Sequence, residues 1–358
     1  MNNTLQLRVG SAIYSGWTEV SVQMAIDAIA GSFRLQAAPR VSDADASFPL
    51  LTGAACEVKI GKHSIISGYI DVTEGVLEAT AHNYQVSGRD KTGDLVDCSA
   101  VLPSGGVKNQ TLEQIIYSLV KPYGIKISSN VDTGDKFTRF AVQQGESVFE
   151  AIDRACRLRG VLPTADGAGG IVLTQIGSGR ATTNLIEGKN VKLFKHYSSL
   201  TGRFSSYKVL GQSGSSDSFF GSKACQVSAK TTDETVTRHR PLIIVAEGEV
   251  TSTTAKRRAE WERAVRIGKS RTITAVVPGW LQESGEPWRP NMQVGVQCPS
   301  LHLPSLTTLL IGAVEYTYGE SEGEIATLTL TRPDAYLPEQ LKEKKDKGKT
   351  NPFGGMKK

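Results

Sequence analysis

Thr4-Leu5-Gln6-Leu7-Arg8-Val9, at residues 4–9, alternates polar and apolar side chains along its whole length. Successive side chains of a strand point to opposite faces, so this alternation is typical of a strand with one buried face. The same period recurs between Gly and Asp turns in the first hundred residues, with apolar members Val20, Val22, Met24, Cys56, Val58 and Ile60. Several short antiparallel strands of this kind predict a small β-barrel or sandwich.

The middle of the chain changes from a strand period to a helical period. Thr111 and Gln114 are placed as a capping box before a run whose apolar residues share one helical face. Ser147 and Glu150 form a second box before another amphipathic helix, which a glycine ends. Two apolar runs joined by a glycine-rich turn follow, and these predict a hairpin. We therefore expect a compact α/β unit over residues 108–176.

The β pattern returns from about residue 190 and continues almost to the C-terminal end. Leu328 and Leu330 alternate with threonines until Pro333 ends the strand. The longest apolar run of the chain, Leu242-Ile243-Ile244-Val245-Ala246, is far shorter than the ~20 residues that span a bilayer. We therefore expect no membrane-spanning segment.

These patterns predict a mainly β fold with an α+β insert. Two small antiparallel β-barrel domains flank an α/β unit, and a basic helix and a disordered C-terminal tail complete the chain. The predicted domains are the first barrel at 1–100, the insert at 101–178, the second barrel at 179–337 with the helix 253–268 inserted in it, and the tail at 338–358. The length of 358 residues suits two to three domains.

The net charge of +5 is confined to the C-terminal tail. Residues 342–358 hold seven lysines against one glutamate and one aspartate. The body therefore keeps 34 of the 41 basic and 34 of the 36 acidic residues, and it is neutral. A neutral body disfavours a dedicated nucleic-acid-binding fold with a broad basic face. We interpret the tail as a solubilising end, with a basic arm that touches nucleic acid or an acidic partner as the alternative.

The helix 253–268 concentrates cations on a short segment. A helix of this charge either lines a channel or meets phosphates, or it covers the body with long side chains while its charges stay in water. Its candidate interface or channel residues are Lys256, Arg257, Arg258, Arg263 and Arg266.

The sequence gives no indication of catalysis. It contains no GxSxG, HExxH or EF-hand pattern, and its five histidines are scattered singly. The five cysteines include no CxxC pair, so free thiols in a reducing cytoplasm are expected. We predict no catalytic residues, no cofactor and no metal site.

Four stretches, in order along the chain, resemble one known family. Gly88-Arg89-Asp90-Lys91-Thr92-Gly93-Asp94-Leu95-Val96-Asp97-Cys98-Ser99-Ala100 is the most specific, especially from Asp94 onward. It is followed by Gly145–Glu150 running to Gly160, by Gly279-Trp280 through Trp288–Asn291, and by Leu328–Tyr336. This chain resembles the Mu-like baseplate hub proteins of contractile-tailed phages, over roughly residues 3–337. These proteins are related to the hub domains of type VI secretion spikes.

The resemblance implies a structural hub and not an enzyme. It implies a homotrimer in which each chain contributes two similar β-barrels, so that a pseudo-six-fold ring joins the tail tube to a central membrane-piercing spike. The implied partners are further copies of the chain, the spike, the tube protein and other baseplate proteins, with DNA passing transiently through the lumen. The implied location is the virion baseplate, assembled in the cytoplasm of the bacterial host.

The charged residues in the stretch Gly88–Ala100, which we call the family-like motif, offer a second candidate site. Arg89, Asp94 and Asp97, together with Asp90, are placed to form ion pairs that fix strand register or a joint between subunits. The alternative is an ordinary polar strand end with a turn at Gly93-Asp94.

Two other functions remain open from the sequence. Residues 143–152 also resemble the opening of a LysM peptidoglycan-binding module, and a wall-degrading glycosidase needs only two carboxylates, so a wall-binding or wall-degrading tail component is one alternative. The other alternative is the hub of a tail-like secretion or bacteriocin particle, which would share the mechanical role.

Overall fold

The first β region contains seven strands and ends in a short helix. The computed structural model describes residues 4–38, 50–77, 82–212, 226–249 and 251–337. The elements are β1 (Leu5–Val9), β2 (Ala12–Tyr14), β3 (Glu19–Ala25), β4 (Ser32–Ala37), β5 (Ala55–Ile60), β6 (His63–Leu77), β7 (His82–Asp90) and α1 (Gly93–Asp97).

The insert that follows is an α/β unit. Its elements are β8 (Gly106–Gln110), α2 (Leu112–Val120), β9 (Ile127–Ser129), β10 (Phe137–Ala141), α3 (Val148–Arg157), β11 (Leu162–Ala165) and β12 (Ile171–Thr174). Both capping boxes are present, since Thr111 and Ser147 accept hydrogen bonds from the backbone N–H three residues on and receive the reciprocal bond. The predicted hairpin is the antiparallel pair β11–β12.

The described part of the chain after the insert holds ten strands and one long helix. They are β13 (Gly179–Arg180), β14 (Leu185–Ile186), β15 (Leu193–Ser198), β16 (Ser206–Gln212), β17 (Gln226–Thr232), β18 (Pro241–Glu249), α4 (Ser252–Lys269), β19 (Arg271–Pro278), β20 (Met292–Cys298), β21 (Leu303–Gly319) and β22 (Gly323–Thr331). The basic helix α4 extends one residue beyond the predicted range at each end.

The two β regions are hydrogen-bonded into one 14-stranded sheet. Its main path runs β2–β1–β5–β6–β7–β4–β3–β21–β22–β19–β15, and β20 pairs with β21, β13 and β14 beside that path. Strand β21 makes the connection, because residues 303–310 pair with β20 and residues 313–319 pair with β3. A chain segment near the C-terminal end thus completes the sheet of the N-terminal region.

The mainly β class with an inserted α/β unit is confirmed. The structure differs from two separate barrels, since the main path of the long sheet has free edges at β2 and β15 and the described strands form no closed ring. It also contains a unit that the sequence patterns did not predict, a three-stranded sheet in the order β17–β16–β18 on which α4 packs.

Three hydrophobic cores hold these parts. The largest fills the inner face of the long sheet and includes side chains from both β regions, such as Val22 and Leu328. The second belongs to the insert around α2 and α3. The third is small and joins β16 and β17 to α4 through Val209, Val227 and Ala259.

Some sequence predictions concern residues outside the described ranges. The basic tail at 338–358 lies outside them. In the described part of the chain, Cys56, Cys156 and Cys298 are buried free thiols and Cys98 is an exposed one. No helix there is long and apolar enough to cross a membrane.

Candidate assembly surfaces

The family-like motif builds a charge cluster around Arg89. Strand β7 presents the Arg89 guanidinium to Asp97 at the end of α1, with Nη2 donating to Oδ2 at 2.7 Å and Nη1 to Oδ1 at 3.2 Å. The Nε of Arg89 donates to Oδ2 of Asp71 on β6 at 2.8 Å. The cluster ties α1 to two strands, and a fork of parallel hydrogen bonds fixes its geometry.

The charged groups of this cluster shift one another's pKa values. The hydrogen bonds from Arg89 lower the pKa of Asp97, and the two carboxylates raise the pKa of Arg89. Asp94 lies apart, half-buried in the first turn of α1, where its carbonyl accepts from the Cys98 N–H. The turn expected at Gly93-Asp94 is this short helix.

Asp90 is buried, and its carboxylate accepts hydrogen bonds from Thr92 N and Thr92 Oγ1, each at 3.0 Å. Burial raises its pKa. It lines a cavity of about 390 Å³ at the junction of the first β region, the insert and residues 289–292. Asp166 and Arg289 also line this cavity.

The basic helix uses much of its charge within the chain. Glu262 accepts from Arg258 Nη2 at 3.1 Å and from Arg266 Nε at 3.1 Å, so one carboxylate pairs with two guanidinium groups. The Arg263 guanidinium donates to the carbonyl of Thr232 on β17 at 3.1 Å. These contacts fit the interpretation in which the long side chains cover the body.

The remaining two candidates on α4 have exposed side chains. Lys256 and Arg257 are exposed, near the start of the helix. At the other end, the carbonyl of Gly268 accepts from the Thr331 hydroxyl at 3.1 Å, and a side chain at Gly268 would collide with Ala335. The helix is therefore fixed against the end of β22, and the eight predicted residues form two groups on different elements.

A third surface, which the sequence analysis did not single out, is a polar face of the long sheet. One row of paired residues crosses seven strands, from β19 through β22, β21, β3, β4 and β7 to β6, and consists of Val276, Thr327, Glu315, Gln23, Ser32, Arg89 and Tyr69. Six spacings of ~4.8 Å make this row about 29 Å wide. The opposite face of the same strands carries the core.

The polar face is rich in hydroxyl and amide side chains. Glu315 accepts from Gln23 Nε2 at 2.8 Å and from Ser21 Oγ at 3.2 Å, across the junction of β3 and β21. Arg89 is the guanidinium of the charge cluster described above. We define the polar face as Ser21, Gln23, Ser32, Arg34, Gln36, Gln85, Ser87, Arg89, Thr272, Thr274, Glu315, Thr317, Thr327 and Thr329. These residues include no lysine, and Lys195 on the edge strand β15 stands beside them, opposite Thr274.

Period-two alternation located these residues on strands, but it could not reveal the surface they share. That surface depends on the pairing of β3 with β21, which joins distant parts of the sequence. Asp71 was missed for a similar reason, since β6 reads as an ordinary strand. In the part of the chain that the structure describes, no group of three His, Cys, Asp or Glu side chains could hold a metal ion.

Solved structures with this fold are phage tail proteins and a related secretion component. The chain is 35% identical to a 43 kDa tail protein of prophage MuSo2 from Shewanella oneidensis, with a TM-score of 0.83, covering 94% of this chain and 99% of that one. An Escherichia coli component of the type VI secretion system, described as similar to T4 tail proteins, shares the fold at 12% identity and a TM-score of 0.54, over 90% of this chain and 76% of its own. The fold is thus that of phage tail proteins.

Sequence comparison identifies a family within this class of phage tail proteins. Family models match residues 4–90 (Mu phage baseplate assembly protein GpP-like, N-terminal), 92–175 (baseplate hub protein gp44-like, second domain) and 251–339 (Mu phage baseplate assembly protein GpP, fourth domain). The baseplate hub protein gp44 of Escherichia phage Mu is 33% identical over an alignment of 368 residues, which covers 99% of this chain and 95% of that protein. The chain belongs to the family of Mu-like phage baseplate hub proteins, which are structural parts of the phage tail.

Proposed function

We propose that this protein is the trimeric hub of a contractile-tail baseplate and joins the tail tube to the central spike. Three chains would form a closed ring, since head-to-tail contacts that close on themselves leave no free interface. The role is structural and involves no catalysis. Its partners are two further copies, the spike, the tube protein and other baseplate proteins, and assembly takes place in the host cytoplasm.

The observation that carries the proposal is the junction of β3 with β21. It fixes the two β regions of one chain side by side, with backbone hydrogen bonds between residues 19–25 and 313–319. Each chain therefore supplies a rigid pair of β regions, and three chains supply six. A six-fold tube and a three-fold spike could both dock on such an arrangement.

The polar face suits the wall of the central opening in this ring. Affinity for DNA comes mainly from lysine and arginine contacts to phosphates. The polar face has no lysine, and of its two arginines Arg89 is already paired with two carboxylates, which leaves Arg34 as its one cation without an ion pair among the described residues. A wall of threonine, serine and glutamine would let a polyanion pass without holding it. In this proposal α4, with its exposed cations Lys256, Arg257 and Lys269, lies away from the wall.

The test is the solution mass, measured by light scattering after size exclusion over a range of concentrations. We expect three times the chain mass of 38.5 kDa, either alone or once the spike protein is added. Negative-stain images of that species should show a ring with a central opening. A mass that stays monomeric both alone and with the spike would contradict the proposal.

A further inference from the structure

The polar face has a free margin on each side within the described part of the chain. On one side, β15 pairs with β19 alone. On the other side, only the first half of β6 pairs with β5, so residues 71–77 have β7 as their one neighbouring strand there. Backbone N–H and C=O groups that point outward from such margins are available to a strand of another chain.

The two margins present side chains in the same order, apolar, charged, apolar, on the polar face. The side chains of β15 on this face are Leu193, Lys195 and Tyr197. The side chains of β6 on this face are Val72, Glu74 and Val76. One margin therefore has a cation at its centre and the other has an anion.

Both margins are exposed in the single chain. Their four apolar side chains are between 43% and 59% exposed. Lys195 and Glu74 are exposed too, and neither forms an ion pair among the described residues. Apolar side chains that line a free strand edge mark a site where another strand can bind.

We propose that β15 of one copy of the chain pairs with residues 71–77 of β6 in the next copy, antiparallel and with Lys195 opposite Glu74. In this register Leu193 stands opposite Val76, and Tyr197 stands opposite Val72. Opposite charges, and an aromatic opposite a β-branched side chain, are cross-strand pairs that stabilise a sheet. The inference rests on the ring proposed above and names the two surfaces that close it.

Strand direction agrees with this pairing. All neighbours on the path from β15 to β6 are antiparallel and seven steps separate the two strands, so they run in opposite directions. Rotation about an axis along the strands keeps these directions, so β15 meets β6 of the next copy as an antiparallel strand. The polar face then continues from one copy to the next.

The other free edge of the long sheet is a poorer partner for β15. Strand β2 lies three antiparallel steps beyond β6, so it runs in the same direction as β15. It has three residues, Ala12, Ile13 and Tyr14, and therefore offers no carboxylate to Lys195. Charge and direction thus both favour β6.

The experiment forms disulfides between copies of the full chain, with and without the spike protein. In a background with Cys98→Ser and Cys225→Ser, one variant carries Lys195→Cys and another carries Glu74→Cys. Directly opposed positions of antiparallel strands place Cβ atoms about 4.5–5.5 Å apart, so a small shift permits a disulfide. On mild oxidation we expect at least tenfold more covalent dimer in an equal mixture of the two variants than in either one alone. A chain with both cysteines should give covalent trimers on a non-reducing gel.

Matched variants test position and charge. Lys208→Cys, exposed on β16 outside the long sheet, should form no cross-link with Glu74→Cys. With the native cysteines, Lys195→Glu or Glu74→Lys should each weaken assembly at least threefold, because like charges then stand opposite each other. The two charge changes together should restore assembly. Unchanged circular dichroism spectra verify that the variants fold.

The outcomes separate this inference from the proposed hub. A trimer in light scattering without a cross-link between Lys195→Cys and Glu74→Cys would overturn the inference and leave the hub standing. Equal cross-linking within a single variant would reveal a two-fold contact and would also overturn it. A chain that stays monomeric with and without the spike and forms no cross-link would contradict both. Cross-linked species without a limiting size would support the paired margins but contradict the closed ring.

Discussion

Two glycines set the spacing of strands β6 and β7. A Cβ at Gly88 would lie 2.0 Å from the Tyr69 carbonyl oxygen, and a Cβ at Gly68 would lie 1.8 Å from the Arg89 carbonyl oxygen. Both contacts fall beside the bulge where the β6–β7 register shifts after Ile70. Glycine is the residue that permits such a close backbone approach. The glycine that opens the family-like motif therefore has a structural role, next to the Arg89 cluster.

We expect Gly88→Ala to destabilise the long sheet by about 3 kcal/mol, because the added methyl group must push the strands apart. Gly319→Ala is the matched control, as it also lies in a strand but has no atom within 4 Å of its added Cβ. Calorimetric unfolding measures both. Equal midpoints for the two variants would contradict the close approach at Gly88.

At the scale of elements, the sequence predicted the features that depend on residues close to one another in the chain. The capping boxes at Thr111 and Ser147 and the hairpin β11–β12 are local, and the structure has all three. The pairing of β3 with β21 could not be predicted, since alternation shows that a strand has a buried face but not which strand lies beside it. The sheet of β16, β17 and β18 was missed because its central strand has a parallel neighbour, which no short-range pattern signals.

Helix α3 is anchored by a partly buried ion pair. The Arg154 guanidinium donates to both carboxylate oxygens of Glu146 at 2.8 Å and to the Ala141 carbonyl at the end of β10 at 2.9 Å. Its guanidinium also lies 4.6 Å from the centre of the Phe140 ring. The hydrogen bonds from Arg154 lower the pKa of Glu146.

We expect Glu146→Gln to destabilise the insert by about 2 kcal/mol at pH 7. A carboxylate with a lowered folded-state pKa stabilises the fold above its unfolded pKa of about 4.3, and this contribution is lost as pH falls through the folded pKa. The difference between wild type and variant should therefore shrink at acid pH. Denaturant unfolding at several pH values measures it.

Glu150→Gln is the control for that series. Glu150 accepts a hydrogen bond from the Ser147 N–H in the capping box, and glutamine serves equally well there. The loss of unfolding free energy in Glu146→Gln should depend on pH and exceed the loss in Glu150→Gln. If it does neither, the ion pair with Arg154 does not stabilise the fold through its charge.

At the scale of the whole molecule, the two β regions share a single hydrophobic core. Val22 on β3 is opposite Phe33 on β4 and Tyr316 on β21, so one buried side chain touches strands from both ends of the chain. The insert has a core of its own, and so has the unit formed by β16, β17, β18 and α4. We therefore expect both β regions to unfold in one cooperative step, separate from the other two units.

Val22→Ala tests this, and its cavity should cost about 2 kcal/mol. By native-state hydrogen exchange, we expect amides of β4 and β22 to lose the same protection, while those of α3 and β16 change less. Val209→Ala, in the small core, should instead affect β16 and α4. Loss of protection in β4 without loss in β22 would mean that the two β regions are independent.

The junction of β3 with β21 also sets the order in which the protein can mature on the ribosome. Ser21 and its partner Glu315 are 294 residues apart. At about 5–20 residues per second, translation supplies that partner roughly 15–60 s after β3 has been made. Throughout that interval one edge of the nascent N-terminal sheet stays open. The joined sheet is complete only after β21 has been made, so chain connectivity itself disfavours oligomerisation through this sheet by chains that have not yet reached β21.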